Sequence, residues 1–247
     1  MGKHRRVPPF KKRHLTRVAV GMSVALTGGT AAAPSALADT GTGNPLNAPA
    51  ADVPVTAWAP VEASATGATA SKTPLEAVAE GLPPVSAEQL LAIAEQQIGI
   101  TENSAGGGTK FHSWYMSSPR VWETIARDGG NVRAYANAPW CDMFVSWVGE
   151  QAGIRPTVGW DAYTVTHAEW FRNNGHWGAQ AEPGAVVFFD WKGGDSLYGI
   201  DHVGFVKKDN GDGTITTIEG NTGNGNVEQR VRPKSQVVGY GYPVYNG

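Results

Sequence analysis

Cysteine is all but missing from this 247-residue chain: Cys141 is the only one. That excludes a disulfide framework within the chain. A thiol left over in an exported protein is reactive, bridges to another molecule, or is buried and inert. Acids are missing from residues 1–38, which carry seven Lys and Arg. All seven lie in residues 1–17, and an uncharged stretch rich in Ala, Val, Gly and Thr runs from 18 to 37. A run long enough to cross a bilayer, roughly 20 apolar residues, is missing too. Gly28, Gly29, Thr30, Pro34 and Ser35 break the stretch up. A basic start, a short apolar region and Ala36-Leu37-Ala38 match a secretory signal better than an anchor. Residues 1–38 are therefore expected to be removed after Ala38, and Arg5-Arg6 is read as ordinary charge of such a segment.

Basic residues become scarce once that segment is gone. Taking its seven bases away leaves 13 Lys and Arg against 22 Asp and Glu, a net charge of −9. Phosphate backbones need a basic face, so nucleic acid is excluded as a partner. An anionic membrane surface does not attract such a chain by overall charge either. Residues 39–85 lack a sustained apolar period and are dominated by Ala, Thr, Pro, Gly and Ser. They are expected to form a flexible linker, with a short helical piece near 75–80. Residues 86–247 are a usual size for one domain.

Ser86-Ala87-Glu88-Gln89 has the capping-box pattern, and Leu90, Leu91, Ile93, Ala94 and Ile98 follow at helical spacing before Gly99. Residues 101–135 are Gly-rich and aromatic and resist assignment, apart from a short helix near 122–126. A clear amphipathic helix starts at Cys141 and closes at Gly153; another covers 164–173. The period then changes to two. Strands are expected over 184–190, 202–207, 214–219, 227–232 and 237–242. Helices first and antiparallel strands after give an α+β fold.

The lone cysteine therefore stands at a helix N-terminus, where unpaired backbone N–H groups favour a thiolate and can hold an oxyanion. Of His112, His167, His176 and His202, only His202 lies in a strand. The Asn210-Gly211-Asp212-Gly213 turn joins that strand to the next. With Gly211-Asp212 as the turn, His202 faces Asn221 and has Glu219 as its diagonal neighbour. With the register slipped by two, it faces Glu219. Either way the three residues share a face, and an orienting acid beside a base is the general logic of a catalytic triad.

Pro139-Trp140-Cys141-Asp142-Met143-Phe144-Val145-Ser146-Trp147 resembles the nucleophile motif of CHAP domains, the cysteine, histidine-dependent amidohydrolase/peptidase family. Pro183-Gly184-Ala185-Val186-Val187-Phe188-Phe189-Asp190 is similar to a strand motif of that family, with Ala185 where Asp is common. Asp201-His202-Val203-Gly204 and Ile218-Glu219-Gly220-Asn221-Thr222 resemble its histidine and closing motifs. The order is the family's, and the resemblance covers about 89–242. The stretch between the first helix and Cys141 is longer than in compact members. The resemblance implies a papain-like fold and hydrolysis of peptidoglycan amide bonds. It further implies Cys141 as nucleophile, His202 as general base and then acid, Glu219 as the orienting member, and Asn221 as an assisting polar group.

Trp140, next to the nucleophile, and Trp191, after the 184–190 strand, are candidate substrate contacts, with core packing as the alternative for both. No cofactor is expected. Residues 101–108 lack the run of carboxylates that Ca²⁺ wants, and the remaining histidines lack zinc spacing, so no metal is expected and packing or surface roles are assigned to them. The expectation is a secreted, wall-associated, monomeric amidase or endopeptidase with peptidoglycan as its partner and no stable membrane association. A catalytically silent wall-binding module and a general cysteine peptidase are the alternatives, although the papain-type pattern around the cysteine is absent.

Overall fold

The computed structural model describes residues 71–247. The expected signal, 1–38, and most of the expected linker lie outside the described residues. In chain order the helices are α1 (Pro74–Ala79), α2 (Ala87–Glu95), α3 (Lys110–Ser117), α4 (Pro119–Asp128), α5 (Cys141–Gln151), α6 (Arg155–Val158) and α7 (Thr164–Asn173). The strands are β1 (Trp177–Gly178), β2 (Val186–Phe189), β3 (His202–Asp209), β4 (Thr214–Thr222), β5 (Asn226–Pro233) and β6 (Val237–Gly241). They form one antiparallel sheet in the order β1-β6-β2-β3-β4-β5. The fold is α+β, as the change of period predicts.

Local chemistry accounts for most boundaries. Ser86 caps α2 by accepting from the Gln89 N–H, while the Gln89 side chain accepts from the Ser86 N–H, the reciprocal capping box. Cys141 is the first residue of α5 and Thr164 the first of α7. Gly153 and Gly175 follow these helices with positive φ, as helix-ending glycines do. In the stretch that resisted assignment, Thr109 caps α3, which buries Phe111, His112 and Tyr115. The segment expected as linker is ordered at its end. Thr73 caps α1, and Leu75, Ala79 and Val85 are buried. The Asn246 side chain donates to the Ala79 carbonyl at 2.7 Å and accepts from the Val85 N–H at 3.2 Å.

Side-chain alternation divides the sheet into two apolar faces. Val186, Phe188, Val203, Phe205 and Ile218 join Leu90, Phe111, Phe144 and Phe171 in the main core under the helices. Ala185, Val187, Phe189, Val206, Ile215 and Tyr240 form a smaller core on the other face. All of β2 is buried, which is why Val-Val-Phe-Phe runs on without alternation.

The β3–β4 hairpin settles the register differently from the two-residue turn expected. The Asn210 N–H donates to the Thr214 carbonyl at 3.1 Å, so Gly211, Asp212 and Gly213 form a three-residue loop. Asp209 faces Ile215 and Lys208 faces Thr216. A bulge at Lys207 then consumes one residue, so Val206 faces Thr217 and Phe205 faces Ile218. The regular β3–β4 pairing ends at Phe205 and Ile218, and His202 meets Glu219 through its side chain. The bulge cancels the extra loop residue, so at Val206 and Phe205 the pairing is that of the two-residue turn.

Candidate active site

Cys141 begins α5, and the residue before it, Trp140, provides no side-chain cap. The approach to the helix is held from α3: the His112 ring lies 2.7 Å from the Thr109 hydroxyl through Nδ1 and 3.1 Å from the Ala138 carbonyl through Nε2. At the other side, Gly220 of β4 lies directly against α5. A Cβ on it would stand 2.6 Å from Phe144 Cβ and 2.9 Å from the Trp140 ring. The middle residue of Glu219-Gly220-Asn221 thus lets the acid-bearing strand approach the cysteine-bearing helix.

The thiol lines a cleft of about 230 Å³ together with Tyr135, Ala138, Pro139, Tyr163 and Asp201. Burial pushes the thiol up to about 12, and the neighbouring Asp142 carboxylate adds to this; the backbone N–H groups of Asp142 and Val203 pull the other way. Desolvation outweighs the pull of the helix N-terminus here. A base is needed to take the proton.

His202 opens β3, so Val203, whose backbone N–H favours the thiolate, is its immediate neighbour. The His202 Nε2 lies 2.9 Å from Glu219 Oε2, and both side chains are buried. Three further donors saturate that carboxylate. Thr217 donates to Oε1 at 2.6 Å. Arg232 donates from Nε to Oε1 at 2.9 Å and from Nη2 to Oε2 at 2.6 Å. Burial alone would raise the Glu219 carboxyl, but the Arg232 and His202 bonds outweigh it and bring it down to about 2.

Asn221 has φ 53°, and the β4–β5 pairing is irregular between Glu219 and Thr222. Simple alternation therefore fails beyond Glu219. Among the described residues the Asn221 side chain makes no hydrogen bond to His202 or Glu219. Instead, Thr222 is turned to accept from Arg232 Nη2 at 2.8 Å.

The two tryptophans separate. Trp140 is wholly buried, stacked on Phe111 at 5.3 Å with its Nε1–H donating to Glu102 at 2.8 Å. It is core, which corrects its reading as a substrate contact: its ring fills the space between α3 and β4. Trp191 is 38% exposed, stacked on Phe189 at 5.3 Å and 5.2 Å from the His202 ring. Its N–H donates to Asp201 at 3.3 Å, while buried Asp190 accepts from the Lys192 and Gly194 N–H groups to shape the loop that follows.

The structure brings His202, Glu219 and Trp191 together at one end of the sheet, and Cys141 lines a cleft with Asp201, the residue before His202. Sequence reasoning missed Arg232 and Thr217. Thr217 is two residues from Glu219 and on its face by strand parity. Arg232 faces Ile215 across the β4–β5 ladder and shares that face too, a signal legible once the ladder is read. It also missed a buried pair beneath the cysteine. His167 Nδ1 lies 2.7 Å from Asp142 Oδ1, and His167 Nε2 lies 2.7 Å from the Val158 carbonyl. Burial raises the Asp142 carboxyl; burial opposes charge on His167 as well, but Asp142 outweighs it and raises the imidazole.

Fold and site together are those of an α+β hydrolase of the amidase and peptidase type. The family model for the CHAP domain matches residues 133–221. That segment includes Cys141, His202, Glu219 and Asn221, and the family is one of peptidoglycan amidases and peptidases. No curated protein and no solved structure matches the chain.

Proposed function

We propose that this chain is a secreted hydrolase of peptidoglycan amide bonds that works through Cys141, His202 and Glu219. The observation that carries the reading is the buried His202–Glu219 bond, with His202 following Asp201, which lines the same cleft as the Cys141 thiol. Glu219, ionised, accepts from Nε2–H, which leaves the Nδ1 lone pair as the base. His202 takes the Cys141 proton as sulfur attacks the amide carbonyl, and N–H groups at the start of α5 receive the oxyanion. The imidazolium then gives its proton to the leaving amine, a thioester forms, and His202 activates the water that hydrolyses it. Asn221, at the end of β4, is the assisting polar group, and Trp191 stands beside the His202 ring. The working protein is residues 39–247, a wall-associated monomer with its catalytic domain after the linker.

The bond cut is either N-acetylmuramoyl–L-alanine or a stem or cross-bridge peptide bond. Mass spectrometry of purified peptidoglycan digested with the mature chain distinguishes them. New free N-terminal alanine on stem peptides identifies an amidase, and new peptide ends identify an endopeptidase. Cys141→Ala is expected to release neither. Products from Cys141→Ala equal to those of the wild type would overturn the mechanism, and a folded wild type that releases nothing would favour a silent wall-binding module.

A further inference from the structure

Arg232 does more than pair with a buried acid. Its guanidinium makes the planar two-point contact with Glu219 described above, a geometry that only arginine supplies. A third bond to Thr222 fixes its orientation. The other side of the guanidinium lies over the Trp191 ring at 4.7 Å, and Trp191 in turn lies against His202. Arg232 and Trp191 thus cover the Glu219–His202 bond on the face away from the helices. We propose that Arg232 is a positioning residue that keeps Glu219 an acceptor, and so fixes which nitrogen of His202 carries the proton.

Hydrogen-bond polarity sets this role, which rests on the proposed role of His202. An ionised carboxylate can only accept, so Nε2 must carry its proton and Nδ1 is free to act as base. A protonated Glu219 would offer a donor to Nε2 and drive the proton to Nδ1, which removes the base without disturbing the geometry. The groups facing the carboxylate are His202 from β3, Thr217 from its own strand and Arg232 from β5, with Glu228 acting on Arg232 from behind. Without Arg232, desolvation of this buried acid is opposed only by the histidine and one hydroxyl, and protonation moves up toward the working range.

The single cysteine permits a test that needs no substrate. The rate of Cys141 alkylation by iodoacetamide, read by intact mass, is measured from pH 5 to 8 in wild type and Arg232→Met, with folding checked by circular dichroism. The variant is expected to fall behind the wild type increasingly as the pH drops, by about tenfold more at the acid end than at the alkaline end, the effect of one pK unit. A deficit that is the same at every pH, or superimposable profiles, would overturn the proposal. Arg232→Gln, which keeps a donor but no charge, is expected to show the same pH-dependent deficit. If neither variant folds, Arg232 is structural and the proposal fails. Alkylation of the wild type is read whether or not peptidoglycan is cut, so a failure here is distinct from a failure of the proposed hydrolysis.

Discussion

Cys141 and His202 illustrate how far one residue's chemistry depends on its neighbour. A thiol pushed up to about 12 by burial is essentially all protonated at neutral pH. In the proposed mechanism its reactivity depends on proton removal by His202. His202→Ala is expected to slow iodoacetamide labelling of Cys141 at pH 7 by on the order of 100-fold, the usual scale of lost general-base assistance, while the fold persists. Labelling at the wild-type rate would mean that the helix N-terminus activates the thiol by itself. This residue pair was legible in the sequence, because a lone cysteine at a helix start and a histidine in a strand are local signals. The state of the thiol was not. Desolvation depends on what packs around Cys141, and the residues lining its cleft run from Tyr135 to Asp201 along the chain.

The elements meet where side chains are smallest. β4 touches α5 at Gly220, with Phe144 and Trp140 in the space a methyl group would need. Gly220→Ala is expected to cost about 1–3 kcal/mol, the usual scale of overpacking in a full core, and to lower activity further by moving Glu219 away from α5. Thermal denaturation and hydrolysis rates of the same preparation check this; an unchanged melting temperature would show that β4 and α5 are not held in contact here. The strands and the helices of this pair were visible from periodicity. Their register was reached with the wrong turn: a three-residue loop stands where two residues were expected, and the bulge at Lys207 restores the pairing. A bulge leaves almost no mark in sequence, since it is decided by how β4 lies across β3. For the same reason Asn221 leaves the regular ladder just where alternation was used to place it.

At the scale of the molecule, the same buried charges link the site to stability. Glu219 has its folded-state value lowered from 4.5 to about 2. Asp161, which burial alone would raise, is also held low by Arg127 and Arg120. A carboxyl depressed in the folded state contributes stability that is complete above its unfolded value and lost as the pH falls through the folded one. For Glu219 that window runs from about 4.5 down to about 2 and is worth on the order of 3 kcal/mol. Urea denaturation at pH 7, 4.5 and 3 is expected to show a steady loss of stability below 4.5, flatter in Glu219→Gln; identical slopes in the two would remove Glu219 as its source.

The sequence by itself determined the α+β order of elements, the helix beginning at Cys141, the strand beginning at His202 and the presence of Glu219 on its face. These follow from caps, glycines and periods of 3.6 and 2, which act over a few residues. Tertiary structure alone decided that Trp140 is core while Trp191 stands beside the His202 ring. It also recruited Arg232 from a strand beyond the hairpin and set the ionisation of the thiol and the acid. Burial and long-range pairing control those outcomes, and both depend on residues far apart in the chain.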